Sequence, residues 1–214
     1  MSESTEQPGT LQLFGRSSSH FTRVARVFAS ELQVEHVFRP VFDLNALEPS
    51  TFGDNPALKL PVWVDEQGPL FGTENICREL RRRAQVPLNR VVMRGEVASR
   101  TLANAEELTL HVMSAEVSLI MAKVAGEGHL APPKVAPSLH HCLRYLDREL
   151  SAILTALPED RQLSFFEVSL FCVVTHLEFR EVADTSSLRR LREFCQRFGE
   201  RESAKATSYR YDAQ

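Results

Sequence analysis

Pro87 divides the chain into two kinds of sequence. Up to that point, proline, glycine and short β-branched runs alternate with helical patterns; beyond it, long helical periodicities dominate. The segment 84–89 (AQVPLN) is the joint, because the residue before a proline is steered away from the α region and a helix must stop at or before Val86. The 214 residues fall between one domain and two at about 150 residues per domain. The break therefore predicts a loose tail over 1–9, an α/β domain over 10–84, a linker over 85–89 and an all-helical domain over 90–214.

Composition excludes several functions. With 25 Lys+Arg against 28 Asp+Glu the formal charge is −3, whereas an electrostatic nucleic-acid binder needs a basic excess. Nucleic acid is not an expected partner. No run reaches the roughly 20 apolar residues of a membrane span, and the densest, Leu163–Val174, is shorter and contains Glu167. No membrane partner is expected. The first ten residues (MSESTEQPGT) have neither a basic nor an apolar region and are not expected to be a secretory signal. Cys77, Cys142, Cys172 and Cys195 lie far apart in apolar helical contexts without a CxxC pair, which reads as buried thiols in a reducing cytoplasm.

In the first part, Leu11–Gly15 reads as a strand. Phe21, Val24, Ala25, Phe28 and Leu32 follow helical spacing behind Ser19, which stands where an N-cap belongs. Gln33–Val41 and Leu60–Val64 read as strands, Asp65–Pro69 as a turn, and Leu70-Phe71 as a brief fourth strand. Thr73 is expected to cap a helix that turns Ile76, Cys77 and Leu80 inward. Strand, helix, strand, hairpin and helix is an α/β order.

The second part reads as helix throughout. Arg90–Val124 is one long candidate weakened only by Gly95. Leu139, Leu143, Leu146, Leu150, Ile153 and Leu157 form one buried stripe. Ser164-Phe165-Phe166-Glu167 is a capping box ahead of a run apolar nearly all round, which belongs at the centre of a helical domain. Leu188, Leu191, Cys195 and Phe198 mark a last helix.

Four features bear on chemistry. Arg16-Ser17-Ser18-Ser19-His20 joins a strand to a helix, where free N–H groups and a serine hydroxyl serve either as an anion site or as a plain cap. Asn55-Pro56-Ala57-Leu58-Lys59-Leu60-Pro61 ends on a proline that opens a strand; it can be cis and turn the preceding backbone outward, or trans on an edge strand. Gly72-Thr73-Glu74 starts a helix and offers a carboxylate site or a cap. Arg81-Arg82-Arg83, with Arg78 a turn earlier, reads as a solvated basic face at a helix C-terminus. The seven histidines form no metal-ligand pattern, and no GxSxG elbow supports a serine triad, so no metal is expected.

Taken in order, these segments resemble a cytosolic-type glutathione transferase with a serine-type site, as in the theta and zeta classes. Leu13-Phe14-Gly15, a following serine and Arg23-Val24 resemble the strand, active site and helix start of those classes. Residues 55–61 are similar to the family's N-P-x-G-K-V-P, residues 68–76 to its G-x-x-L-x-E-S-x-A-I, Ser164–Glu167 to its capping box, and residues 203–207 to a common ending. The fold implied is an α/β thioredoxin-like N-terminal domain followed by an all-α helical C-terminal domain.

The activity implied is binding of glutathione as co-substrate and addition of its thiolate to a small electrophile, as in detoxification, with peroxidase or isomerase variants. Only the thiolate attacks, and a hydrogen bond to the charged form lowers a thiol pKa. By resemblance Ser19 or Ser18 donates to the sulfur; Ser19, five residues after Phe14 and four before Arg23, is preferred. Leu60, ahead of a cis Pro61, pairs its backbone with the cysteinyl unit; Thr73, preceded by Gly72, holds the γ-glutamyl carboxylate; Lys59 meets the glycyl carboxylate. Leu58 stands where the family has glycine, and Gly72 replaces the usual acidic or amide residue, removing a ligand contact. The absence of cysteine from 16–20 argues against the thiol-exchanging classes. The resemblance further implies a homodimer using the helices over 73–84 and 90–124. The same fold also serves as a non-catalytic protein-interaction module, an alternative that Gly72 keeps open.

Overall fold

A computed structural model describes residues 10–126 and 131–213; the expected loose tail at 1–9 lies outside the described residues. The chain forms two compact units. One comprises the described residues up to Gln85 together with those from Thr207 onward, and the other is Val86–Ala206. The last residues of the helical domain expected over 90–214 cluster with the first unit.

The first unit runs β1 (Gln12–Gly15), α1 (His20–Glu31), β2 (Val37–Pro40), a 3-10 turn (Pro49–Phe52), β3 (Val62–Asp65), β4 (Gly68–Phe71) and α2 (Thr73–Ala84). The sheet order is β2-β1-β3-β4. β1 and β2 are parallel and joined through α1, as a parallel pair requires a crossover. β3 is antiparallel to both neighbours, Phe14 facing Val62 and Val62 facing Phe71. Leu13, Val24, Phe28, Val62, Trp63, Ile76, Cys77 and Leu80 are buried completely and form the core. The second strand is shorter than expected, confined to Val37–Pro40.

The basic run at the end of α2 is built into ion pairs. The Arg83 guanidinium lies 2.7 Å from Asp65, 2.8 Å from Glu66 and 2.7 Å from Glu79. Arg82 lies 2.6 Å from Glu79, and Arg81 is buried. Only part of the expected solvated face is solvated. Burial pushes the Asp65 carboxyl up, but the Gln67 N–H, Arg83 and the Trp63 indole together hold it below its usual value.

The second unit contains β5 (Val91–Val92), α3 (Arg100–Ala125), α4 (Val135–Thr155), β6 (Leu163–Ser164), α5 (Phe165–Phe179), α6 (Arg189–Gly199) and α7 (Glu202–Ala206). The unit is the expected helical domain, with one short addition: the two-residue β5 pairs in parallel with β6. One boundary is corrected. The long helix begins at Arg100, not Arg90, because Ser99 caps it by accepting the Leu102 N–H at 3.3 Å, while Gly95 at φ +77° lies in the preceding loop. The Leu139–Leu157 stripe is buried throughout, with Leu157 just past the helix end. In the capping box, Ser164 Oγ accepts the Glu167 N–H at 3.1 Å and donates to the Glu167 carboxylate at 2.7 Å. Arg161 grips that carboxylate with two N–H groups at 2.8 and 2.7 Å. All of α5 is buried except Glu167, Thr175, Glu178 and Phe179.

One helix among the described residues bears on the membrane expectation. α3 is long and apolar enough to cross a membrane by length and composition alone. Within the unit it packs against α4 and α5 and carries Glu116, fully buried, 2.7 Å from His176 of α5.

Candidate functional site

Sheet register brings three distant segments to one edge. Phe14, Val62 and Phe71 lie in a row across β1, β3 and β4. One residue beyond that row stand Gly15, Pro61 and Gly72. The serine turn is therefore a neighbour of the proline segment and of the start of α2, which lie roughly 40 to 60 positions further along the sequence.

The serine turn is closely packed. A Cβ on Gly15 would lie 2.3 Å from Thr22 Cγ2, so only glycine lets β1 pass this close to α1. Thr22 is fully buried, and its hydroxyl oxygen accepts the Arg16 N–H at 3.3 Å. The Ser19 N–H closes the turn on the Arg16 carbonyl at 3.1 Å. Ser19 is the N-cap of α1: its Oγ accepts the Thr22 N–H at 3.3 Å and its carbonyl accepts the Arg23 N–H at 2.9 Å. A hydroxyl that accepts from the helix keeps its own proton to donate outward. Ser19 is half-buried, whereas Ser17 and Ser18 are buried. The Ser17 N–H donates to Asp212 Oδ2 at 2.8 Å, and Arg26 donates to Ser17 Oγ at 3.4 Å. Burial, then the like charge of Arg210, lowers the Arg26 pKa against the opposing pull of Asp212.

The proline segment is organised by Asn55. This buried side chain donates to the Lys59 carbonyl at 2.8 Å and accepts the Ala57 N–H at 3.0 Å. The Leu60–Pro61 bond is cis, which resolves the two conformations the sequence left open. Leu58, in the place of the family's glycine, adopts φ +53°. Lys59 is exposed and Leu60 half-buried.

At the third segment Thr73 is the first residue of α2 and not its cap. Gly72 is the N-cap, at φ +88° and ψ 129°, with no side-chain capping bond. That backbone conformation favours glycine, which gives the departure at position 72 a local reason. The Thr73 hydroxyl donates to the Phe21 carbonyl at 3.5 Å, tying the start of α2 to the first turn of α1.

Ser19, Leu60, Pro61, Gly72 and Thr73 thus stand on one sheet edge, with Ser18 buried inside the turn and Lys59 exposed just before the proline. Sequence reasoning missed four residues that pack against or hydrogen-bond these segments: Gly15, Thr22, Asn55 and Asp212. The Asn-Pro pair was a turn signal that points to Asn55. Nothing near Asp212 announces a partner 195 positions away.

The order of strands and helices, the antiparallel hairpin and the proline at the sheet edge define a thioredoxin-like domain, and a helical domain follows it. Residues 13–87 match the family model described as glutathione S-transferase, N-terminal domain. Among solved structures, a glutathione transferase family member from Pseudomonas fluorescens Pf-5 with bound glutathione is 19% identical at TM-score 0.77, with 94% of this chain and 100% of that chain covered. A glutathione S-transferase from Methylobacillus flagellatus KT with glutathione bound is 20% identical at TM-score 0.74, over the same shares of 94% and 100%. A third, from Methylobacterium radiotolerans in complex with glutathione sulfonate, is 17% identical at TM-score 0.72, covering 96% and 98%. No curated protein matches the chain in sequence. Residues 13–87 are thus similar to the glutathione S-transferase N-terminal domain, and the chain as a whole shares the fold of these transferase structures.

Proposed function

We propose that the protein binds glutathione at this sheet edge and adds its thiolate to a small electrophile. Glutathione is its co-substrate, and Ser19 is the residue that donates to the sulfur. The carrying observation is Ser19 itself, half-buried at the N-terminus of α1, with its oxygen engaged by the Thr22 N–H and its proton left to donate. A hydrogen bond to a charged group is worth about 1.5–3 kcal/mol. At 1.36 kcal/mol per pKa unit that is about one to two units, enough to bring a free thiol near 8.5 into the neutral range. The positive end of α1 acts in the same direction.

The other contacts follow the sheet edge. Leu60 pairs its backbone with the cysteinyl unit beside Pro61. The first N–H groups of α2, that of Thr73 among them, hold the γ-glutamyl carboxylate. Lys59 meets the glycyl carboxylate. Metal plays no part in this reading. The protein works in the cytoplasm as a homodimer, a state supported by Val117, Met121 and Val124, which are exposed along one face of α3.

Two measurements test this reading together: the thermal shift with millimolar glutathione, which native-state binding must raise, and conjugation of a generic aryl halide. A second reading, a docking module without catalysis, is favoured by the bare backbone at Gly72, and absence of any shift decides for it.

A further inference from the structure

After α7 the chain turns back to the first unit and runs along α1 toward its N-terminus. Arg23 Nε donates to Thr207 Oγ1 at 3.5 Å, and the Arg23 guanidinium lies 4.3 Å from the centre of the Tyr209 ring. Further along, Asp212 Oδ2 accepts the Ser17 N–H at 2.8 Å. Thr207 is buried, and Tyr209 and Asp212 are half-buried.

Two N–H groups of the serine turn are paired locally. Arg16 donates to Thr22, and Ser19 donates back to Arg16. The N–H between them, at Ser17, is satisfied by a carboxylate from the far end of the chain. Arg26, two turns down α1, holds the hydroxyl of the same serine. Ser17 is thereby fixed from both sides, and Ser19 is two residues on.

We propose that residues 207–212 form a strap whose Asp212 carboxylate is a positioning residue for Ser19. This rests on the reading of Ser19 as the thiolate donor. Asp212 does not touch the sulfur; it fixes the turn that aims the Ser19 hydroxyl. Misplacement by about 1 Å of a group that orients a reactant can lower a rate about a hundredfold.

Charge and position act with opposite sign here, which makes the idea testable. If the Asp212 charge were what mattered, its removal would favour a nearby thiolate and lower the thiol pKa. If position matters, Asp212→Ala raises that pKa, while Asp212→Asn, which keeps an acceptor oxygen, restores it.

The experiment uses the full-length protein with glutathione and an aryl halide. The expected result is a fivefold or larger loss of kcat/KM in Asp212→Ala with an upward shift of its pH profile, and a profile within twofold of wild type in Asp212→Asn. Hydrogen exchange over residues 12–22, measured without glutathione, is expected to speed up about tenfold in Asp212→Ala alone. Unchanged exchange in Asp212→Ala, or equal downward pKa shifts in both variants, overturns the strap. If Ser19→Ala retains full activity while exchange still responds, the thiolate reading fails and the strap remains as a structural latch.

Discussion

Gly15 and Thr22 are in closer contact than any side chain at position 15 would permit, since a Cβ there would stand 2.3 Å from Thr22 Cγ2 and 2.8 Å from its Oγ1. Thr22 is fully buried and its hydroxyl binds the Arg16 N–H, so it has no room to retreat. Gly15→Ala must move α1 away from β1. Overpacking of this kind costs about 1–3 kcal/mol, which urea unfolding will register as a lower midpoint at unchanged slope. Activity is expected to fall further than stability, because the displaced turn carries Ser19.

Asn55 links residues 57 and 59 through two hydrogen bonds from a buried amide. Asn55→Ala leaves the Lys59 carbonyl and the Ala57 N–H without that partner, at about 1–3 kcal/mol. Glutathione affinity measured by calorimetry is expected to weaken, since the segment leading to Leu60 loses its brace. Unchanged affinity would place the ligand elsewhere.

Two carboxylates pull stability in opposite directions with pH. Asp65 is held below its usual pKa in the folded state, so its contribution is fully present above the unfolded value of about 3.9 and is lost as pH falls through the lower folded value. Glu116 is pushed up by burial, against the pull of His176 and Arg180. Its contribution is present below the unfolded value of about 4.3 and is lost as pH rises through the folded one. Unfolding measured from pH 2 to 8 is expected to show a shallower acid limb in Asp65→Asn than in wild type.

Glu116→Ala is expected to be the most destabilising of these changes. It leaves His176, buried on α5, without the oxygen 2.7 Å away. Breaking a buried pair by removing one partner costs about 3–5 kcal/mol. Chemical denaturation of the variant measures it, and a loss below 1 kcal/mol would mean that the pair contributes no net stability.

Much of this was readable in the sequence, because the physics is local. Ser19 and Ser164 announce their caps, the proline at 87 ends α2, and the apolar spacings of α1, α4 and α5 give their buried faces. What was not readable depended on long-range pairing. Val91-Val92 becomes a strand only because Leu163-Ser164 lies beside it. Thr73 reads as a cap by type, yet a backbone at φ +88° gives that position to Gly72. Asp212 carries no local pattern at all. The site was legible as three motifs, but their meeting at one edge follows from the register Phe14–Val62–Phe71.

The most direct measurement is the pH dependence of aryl-halide conjugation by wild type, Ser18→Ala and Ser19→Ala. With Ser19 as donor to the thiolate, Ser19→Ala loses at least tenfold in kcat/KM and its apparent pKa rises by about one unit or more, while Ser18→Ala keeps its profile. A Ser19→Ala enzyme with the wild-type rate and the wild-type pKa contradicts the assignment.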